Sequence, residues 1–440
     1  MTAREGSAGL GLFLSLMLVL SLVFVAGAAG ATADVSRTKL PNGMVVLVRE
    51  NPAAPVVAAS LMLKMGTRWE TRDNAGISNF LQLMVVRGTT SRSGPQIVEI
   101  ANGLGGTIDA YGDADYSEIA ATALARYSIQ ILELVADVAL NPSIPDGVVG
   151  PVRDFLVRQV RNRGERPFTA GLDALTARVF GNNPYAWDPL GLRESLERMD
   201  RTALIAHYRR HYVPGGMVLA VSGQIKAAEV LAEAQRLFGG MPAGAPPVPQ
   251  PPSPPAPATS RDVLTVPGAQ AQILIGSLAP ALTDPDYPAV KVLSTALGGG
   301  MAGRFFSELR DQQGLAYTTA ADFPARIDTS YFVASLGTAP ANAGRAEAAL
   351  AEQLDRVQRQ PISDEELRVA KEFLLGRLAM DRRTNARQAW YLAAYEQAGV
   401  GQEFLDRFTA RVRAVTAADL QRVAQRYLSP RRTVVVQPPS

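Results

Sequence analysis

The chain has no cysteine and only two histidines, His207 and His211, in 440 residues. The first absence excludes structural disulfides, thiol nucleophiles, thiolate metal sites and a lipidated N-terminal cysteine. No Gly-x-Ser-x-Gly elbow is present, and no Lys-Ser/Thr follows Gly298-Gly299-Gly300, so neither a serine-hydrolase turn nor a phosphate loop is encoded. Charge of one sign is also missing: 44 basic and 41 acidic residues are closely mixed and leave a net charge of +3. Without a basic run or stripe, no nucleic-acid partner is expected.

What remains is a globular composition, 47% apolar and 19% charged, long enough for two domains. The first 33 residues differ from the rest. Arg4 precedes an apolar run from about Leu10 to Ala26, and Ala31-Thr32-Ala33 offers small residues before a cut ahead of Asp34. This is the pattern of a secretory signal peptide cleaved after Ala33, with a retained membrane anchor as the rival. Only a retained segment would tie the chain to a membrane. Export without cysteine points to a periplasmic location.

Residues 242–257 hold nine prolines in sixteen positions. Proline lacks the N–H that helix and sheet ladders require, so the stretch reads as an extended spacer between domains at 35–241 and 258–440. In both parts paired strands alternate with helical blocks. That order predicts an α+β fold with two similar domains. The first part has strands at Met44–Arg49, Val56–Met65, Thr107–Tyr111, Tyr116–Leu124 and Val218–Ser222. The second has them near 262–266, 270–278, 315–323, 329–337 and Thr433–Gln437.

The segment Gly76 to Thr89 predicts a helix. Ile77, Phe80, Leu81, Met84 and Val85 form one apolar stripe, with Asp73 or Asn74 as cap and Gly88 as stop. Its other face carries Asn79, Gln82 and Leu83, at a spacing that brings three side chains over one point. A zinc hydrolase places two imidazoles and a carboxylate there; this chain has two amides and an isobutyl group. His207 and His211, at i and i+4, share a helix face, but no carboxylate lies between them and Arg209 and Arg210 repel a cation. Tyr208 and Tyr212 suggest that this helix packs into a sheet edge. Further on, Phe305, Phe306 and Leu309 form the apolar face of a helix ended by Gly314. Arg310 on its last turn and Tyr317 on the next strand are placed to converge on one ligand.

The segments Leu40-Pro41-Asn42-Gly43, Gly66-Thr67-Arg68-Trp69-Glu70, the helix with Gly88-Thr89, His211-Tyr212-Val213-Pro214, Val221-Ser222-Gly223, Gly298-Gly299 and Arg310 to Tyr317 together resemble the pitrilysin, insulinase and mitochondrial-processing-peptidase (M16-like) family of zinc peptidases, in its short bacterial form. The resemblance covers essentially all of the chain after the leader. It implies two domains, each an antiparallel sheet flanked by helices, forming a clam-like chamber for unfolded peptides. In active relatives the first helix reads His-x-x-Glu-His, with a glutamate on a later helix. The resemblance places Asn79 and Leu83 at the two histidines, Gln82 at the general base and Gln159 at the glutamate. All four positions are altered, so no metal is expected in this chain. Arg310 and Tyr317 match a pair that positions the substrate carbonyl and steadies the oxyanion. The implied function is that of a non-catalytic subunit in a heterodimeric metalloendopeptidase. It would bind peptide near Asp109, Ala110 and Tyr111 and lend Arg310 and Tyr317 to a sister subunit that carries His-x-x-Glu-His and zinc. The alternatives are a structural or peptide-holding scaffold, and an active homodimer using His207 and His211.

Overall fold

Strand and helix periods alternate along the chain as two successive sets, and each set closes on its own sheet. The computed structural model describes residues 35–439; the leader lies outside them. The first set runs β1 (Val35–Lys39), β2 (Val45–Glu50), β3 (Val56–Leu63), α1 (Ile77–Val85), α2 (Gly94–Gly103), β4 (Thr107–Gly112), β5 (Ser117–Leu124), α3 (Ser128–Leu140), α4 (Asp146–Gly164), α5 (Pro167–Phe180), α6 (Arg193–Arg198), α7 (Arg201–His211), β6 (Met217–Gly223) and α8 (Ala227–Phe238). The second set runs β7 (Ser260–Thr265), β8 (Ala271–Ala279), α9 (Tyr287–Gly298), a π-helix (Phe305–Gln312), β9 (Thr318–Asp322), β10 (Ser330–Thr338), α10 (Ala343–Arg359), α11 (Asp364–Asp381), α12 (Asn385–Gln397), α13 (Phe404–Ala414), α14 (Ala417–Tyr427) and β11 (Arg432–Gln437). Among the described residues no helix is long and apolar enough to cross a membrane.

The sheets are ordered β1-β2-β6-β3-β5-β4 and β7-β11-β8-β10-β9. With β1 set aside, both follow one path through their five strands: first, last, second, fourth, third. The chain is therefore duplicated in topology. Each sheet is antiparallel except for one pair, β2 with β6 and β7 with β11, which are parallel. That refines the expected antiparallel sheets: a strand returning from a long helical excursion lies beside the first strand with the same sense. In both sheets the third strand, β4 or β9, is an open edge.

Each sheet buries one face under its own helices and the other under a helix from the opposite half. Leu47, Met62, Val218 and Ala220 of the first sheet pack on Ala389 and Ala393 of α12. Leu274, Val333, Val434 and Val436 of the second pack on Leu175, Val179 and Phe180 of α5. Asn385 ties the exchange down by accepting from Asn51 Nδ2 at 2.8 Å and donating to the Val56 carbonyl at 3.3 Å. Helices α5 and α12 are thus exchanged, each covering the sheet of the opposite half. The proline-rich stretch 242–257 is neither helix nor strand, and it is strapped to the first half. Trp69 Nε1 donates to the Pro247 carbonyl at 2.9 Å and Asn183 Nδ2 to that of Pro252 at 2.7 Å.

Candidate functional site

Helix α1 buries Phe80, Leu81, Met84 and Val85 completely, as its apolar stripe requires. Its start is not capped by Asp73 or Asn74, which belong to a preceding turn. Gly76 is the cap residue, with φ of 93°, and a methyl group there would meet Gly191 Cα at 2.7 Å. The free N–H groups of the first turn are taken instead by Glu70, whose carboxylate accepts from Gly76 N at 2.8 Å and Ser78 N at 3.0 Å. Glu70 is 4% exposed, and burial pushes its pKa up against the pull of these bonds. Sequence reading caught Glu70 only as the end of the Gly66–Glu70 motif; the contact that gives it a role spans a turn with no period of its own.

The three side chains on the polar face of α1 have separate fates. Asn79 sits against the end of β4, accepting from Gly112 N at 3.4 Å, and a methyl group at Gly112 would meet Asn79 Cα at 2.9 Å. Gln82 is fully buried; its Oε1 accepts from the Tyr212 hydroxyl at 3.3 Å, while its NH₂ has no partner. Leu83 is half-buried and opens onto a groove of about 790 Å³ beside α2 and β4, lined also by Arg87, Ile97, Val98, Asp109 and Ala110. Gln159 is half-buried on α4, which packs against α1. Zinc needs imidazole, carboxylate or thiolate donors. Leucine has no lone pair, the oxygens of both α1 amides already accept hydrogen bonds, and among the described residues no three His, Asp or Glu side chains converge. The residues present do not fit a zinc ion.

The two histidines are spoken for elsewhere. His207 Nε2 lies 3.1 Å from Ser78 Oγ, and His211 Nδ1 donates to the Lys64 carbonyl at 2.9 Å. They are 7% and 1% exposed, and burial holds both pKa values below the usual imidazole range. The sheet edge expected beside Tyr208 and Tyr212 does not take their hydroxyls. Tyr208 donates to the Ala139 carbonyl at the end of α3, and Tyr212 to Gln82 on α1. Helix α7 braces α1 from behind.

Asp109, Ala110 and Tyr111 fall in the edge strand β4, paired with Ala120, Ile119 and Glu118 of β5. The outer edge of β4 therefore has backbone groups open for pairing, and the groove beside Leu83 runs along it. Tyr111 donates to the Glu118 carboxylate, which also accepts from Ser60 Oγ at 2.5 Å. Burial raises the pKa of Glu118, a residue that the strand pattern alone does not single out.

In the second half, the Arg310 side chain meets the backbone of Tyr317. Arg310 Nη1 donates to the Tyr317 carbonyl at 3.2 Å, and its guanidinium lies 4.8 Å from the centre of the Phe306 ring. Tyr317 N–H is fixed by the Gly337 carbonyl at 2.8 Å, which leaves the phenol projecting at the start of β9 with the residue 57% exposed. The segment carrying Arg310 is wound as a π-helix, a form concentrated at functional sites. Gly298 allows a close approach of backbone to backbone: a methyl group there would meet Ala321 N of β9 at 2.0 Å.

Comparison with known proteins matches both halves. The model of the insulinase family, peptidase family M16, matches residues 45–187, and that of the peptidase M16 inactive domain matches residues 198–374. An uncharacterized zinc protease of Mycobacterium leprae is 28% identical over 351 residues, which is 79% of this chain and 79% of that protein. A protease from Helicobacter pylori superposes with a TM-score of 0.87 at 20% identity, covering 92% of this chain and 100% of the other. The peptidase M16 inactive domain from Pseudomonas fluorescens gives 0.85 at 21%, covering 92% and 99%. At such identities the two structures attest the fold. With both halves matched and the metal donors gone from α1, the chain belongs to the M16 peptidase family and is a non-catalytic member of it.

Proposed function

We propose that this protein is the non-catalytic subunit of a periplasmic, heterodimeric zinc endopeptidase. One contrast carries the reading: Asn79 and Leu83 hold the ligand positions and Gln82, locked under Tyr212, that of the general base, while Arg310 and Tyr317 stay adjacent and open to a partner. The zinc would sit in a sister subunit with His-x-x-Glu-His. Peptide would add as a strand to the open edge of β4 at Asp109–Tyr111, where main-chain pairing gives affinity and the groove beside Leu83 receives a side chain. Arg310 and Tyr317 would face the partner's zinc, as donors aimed at the charge that develops on the attacked carbonyl oxygen.

The test is reconstitution. Purified alone, the protein should hold no stoichiometric zinc and cleave no unfolded peptide. A pull-down from periplasm should recover a sister chain of the same fold, and the complex should contain one zinc and cleave peptides. A complex that binds peptide and shows no hydrolysis would favour a peptide-holding scaffold instead.

A further inference from the structure

Outside the altered metal site, the feature richest in unused chemistry is a cavity of about 720 Å³ at the junction of the halves. Phe168 of α5 closes it from the first half. Phe323, Tyr331, Phe373, Trp390 and Tyr391 line it from the second. Its volume lies in the range of small-ligand sites. Four charged side chains reach it: Lys291, Asp322, Arg377 and Asp381.

Only one of the four is fully committed. Asp381 accepts from Arg387 Nη2 at 2.6 Å and from the Tyr391 hydroxyl at 2.7 Å. Lys291 uses one of its three N–H donors, on the Phe323 carbonyl at 2.5 Å, and its ammonium stands 5.4 Å from the centre of that ring. Among the described residues neither Lys291 nor Arg377 has a carboxylate within 4.0 Å. Two cations with spare donors therefore face an aromatic box from α9 and α11. Burial lowers the Lys291 pKa to about 8 even though the Asp322 carboxylate attracts both Lys291 and Arg377, and an incoming anion would add to that attraction.

We propose that this cavity binds the free carboxylate of an aromatic amino-acid residue, with the carboxylate on Lys291 and Arg377 and the ring against Phe323, Phe373 and Trp390. An N-acylated amino acid and the C-terminal end of a peptide present the same chemistry. Neither the edge of β4 nor Arg310 and Tyr317 takes part, so the site stands apart from the peptidase reading.

Calorimetric titration of the full chain with N-acetyl-L-phenylalanine, its amide, and Ala-Ala-Ala-Phe tests this. The acid should bind saturably and at least tenfold more tightly than the amide. Lys291→Met should erase that gap, and Arg377→Gln, at an exposed position that folding does not depend on, should narrow it at least threefold. A tighter tetrapeptide assigns the site to peptide ends, and a tighter acetyl amino acid to free small molecules. No saturable binding of the acid, equal binding of acid and amide, or a gap unchanged in Arg377→Gln overturns the proposal.

Discussion

The Tyr212 hydroxyl lies 3.3 Å from Gln82 Oε1, and Gln82 has no exposed surface. The residue at the general-base position is thus a buttress between α1 and the end of α7. Gln82→Glu should therefore restore neither zinc binding nor hydrolysis. It would place a carboxyl group where no cation waits, and burial would raise that group's pKa. The ionised form is disfavoured, at about 1–3 kcal/mol for a buried polar group left short of partners. Because the native pKa would exceed the unfolded value, the loss is absent at low pH and grows as pH rises. Urea unfolding should show the variant well below wild type at pH 8 and close to it only below the unfolded glutamate pKa of about 4.3.

Arg310 and Tyr317 were visible together in the sequence because a short helix, Gly314 and a strand start separate them by seven positions, a local geometry. The apolar stripe of α1 and the strand at 107–112 were legible for the same reason: each is a period of 3.6 or 2 within one element. The contacts that decide the site are not local. Glu70 caps α1 in place of Asp73 or Asn74, Tyr212 reaches Gln82 across 130 positions, and Ala389 meets a sheet formed in the other half. Helix α8 went unread although Val230, Ala234 and Phe238 are buried along one face. The alanine-rich, mixed-charge stretch around them blurs the stripe. The exchange of α5 and α12 had no sequence signal, since a helix with one buried side does not reveal whose sheet it covers.

If the proposed heterodimer forms, Tyr317→Phe in it should lower kcat by about 100-fold and leave KM nearly unchanged, the signature of one lost donor to a developing oxyanion. The hydroxyl is not needed for the fold, because the backbone of Tyr317 is held by Gly337 and Arg310. Gel filtration should show unaltered assembly. Equal kcat for the variant and wild type would remove Tyr317 from the chemistry.

His207 predicts an acid sensitivity. Its native pKa is held well below 6.5 by burial, so in the unfolded chain it takes up a proton that the native state refuses. Stability is then complete above 6.5 and falls as pH drops beneath it, by about 1 kcal/mol at pH 5.5 from this residue alone. His207→Gln keeps a hydrogen-bonding group near Ser78 and cannot titrate. Denaturant midpoints at pH 7.5 and 5.5 should differ less in the variant than in wild type.

Arg326 is the hinge pin of the contact between halves. Its guanidinium lies 3.4 Å from Asp113 and faces Asp115, which also accepts from the Tyr185 hydroxyl and from Ile327 N at 3.2 Å. Asp115 is 7% exposed, and burial raises its pKa against the attraction of that arginine. Arg326→Gln removes the stronger of the two cations that act on this buried carboxylate, leaving Arg68. The Arg326 side chain is about a fifth exposed and Asp115 keeps two hydrogen bonds, so the loss should be about 2 kcal/mol, below that of a fully buried broken pair. Adding Asp115→Asn should recover about 1 kcal/mol, a coupling that a double-mutant cycle reads directly.

The exchange of helices makes one further demand. Ala389 and Ala393 of α12 are fully buried against Leu47, Met62, Val218 and Ala220, so these methyl groups set how closely the helix lies on a sheet of the other half. A larger side chain must lift the helix or displace the strands. Ala393→Leu should then cost about 1–3 kcal/mol through overpacking. Arg37–Glu396 and the Gln397 bond to the Gly216 carbonyl lie on the last turn of α12 and share the displacement. If the halves fold as one interlocked body, the destabilisation appears as a single shifted transition, with the fluorescence of Trp390 in α12 and that of Trp69 in the first half moving together. Two separated transitions in the variant would mean that each half folds alone and that α12 is an accessory covering.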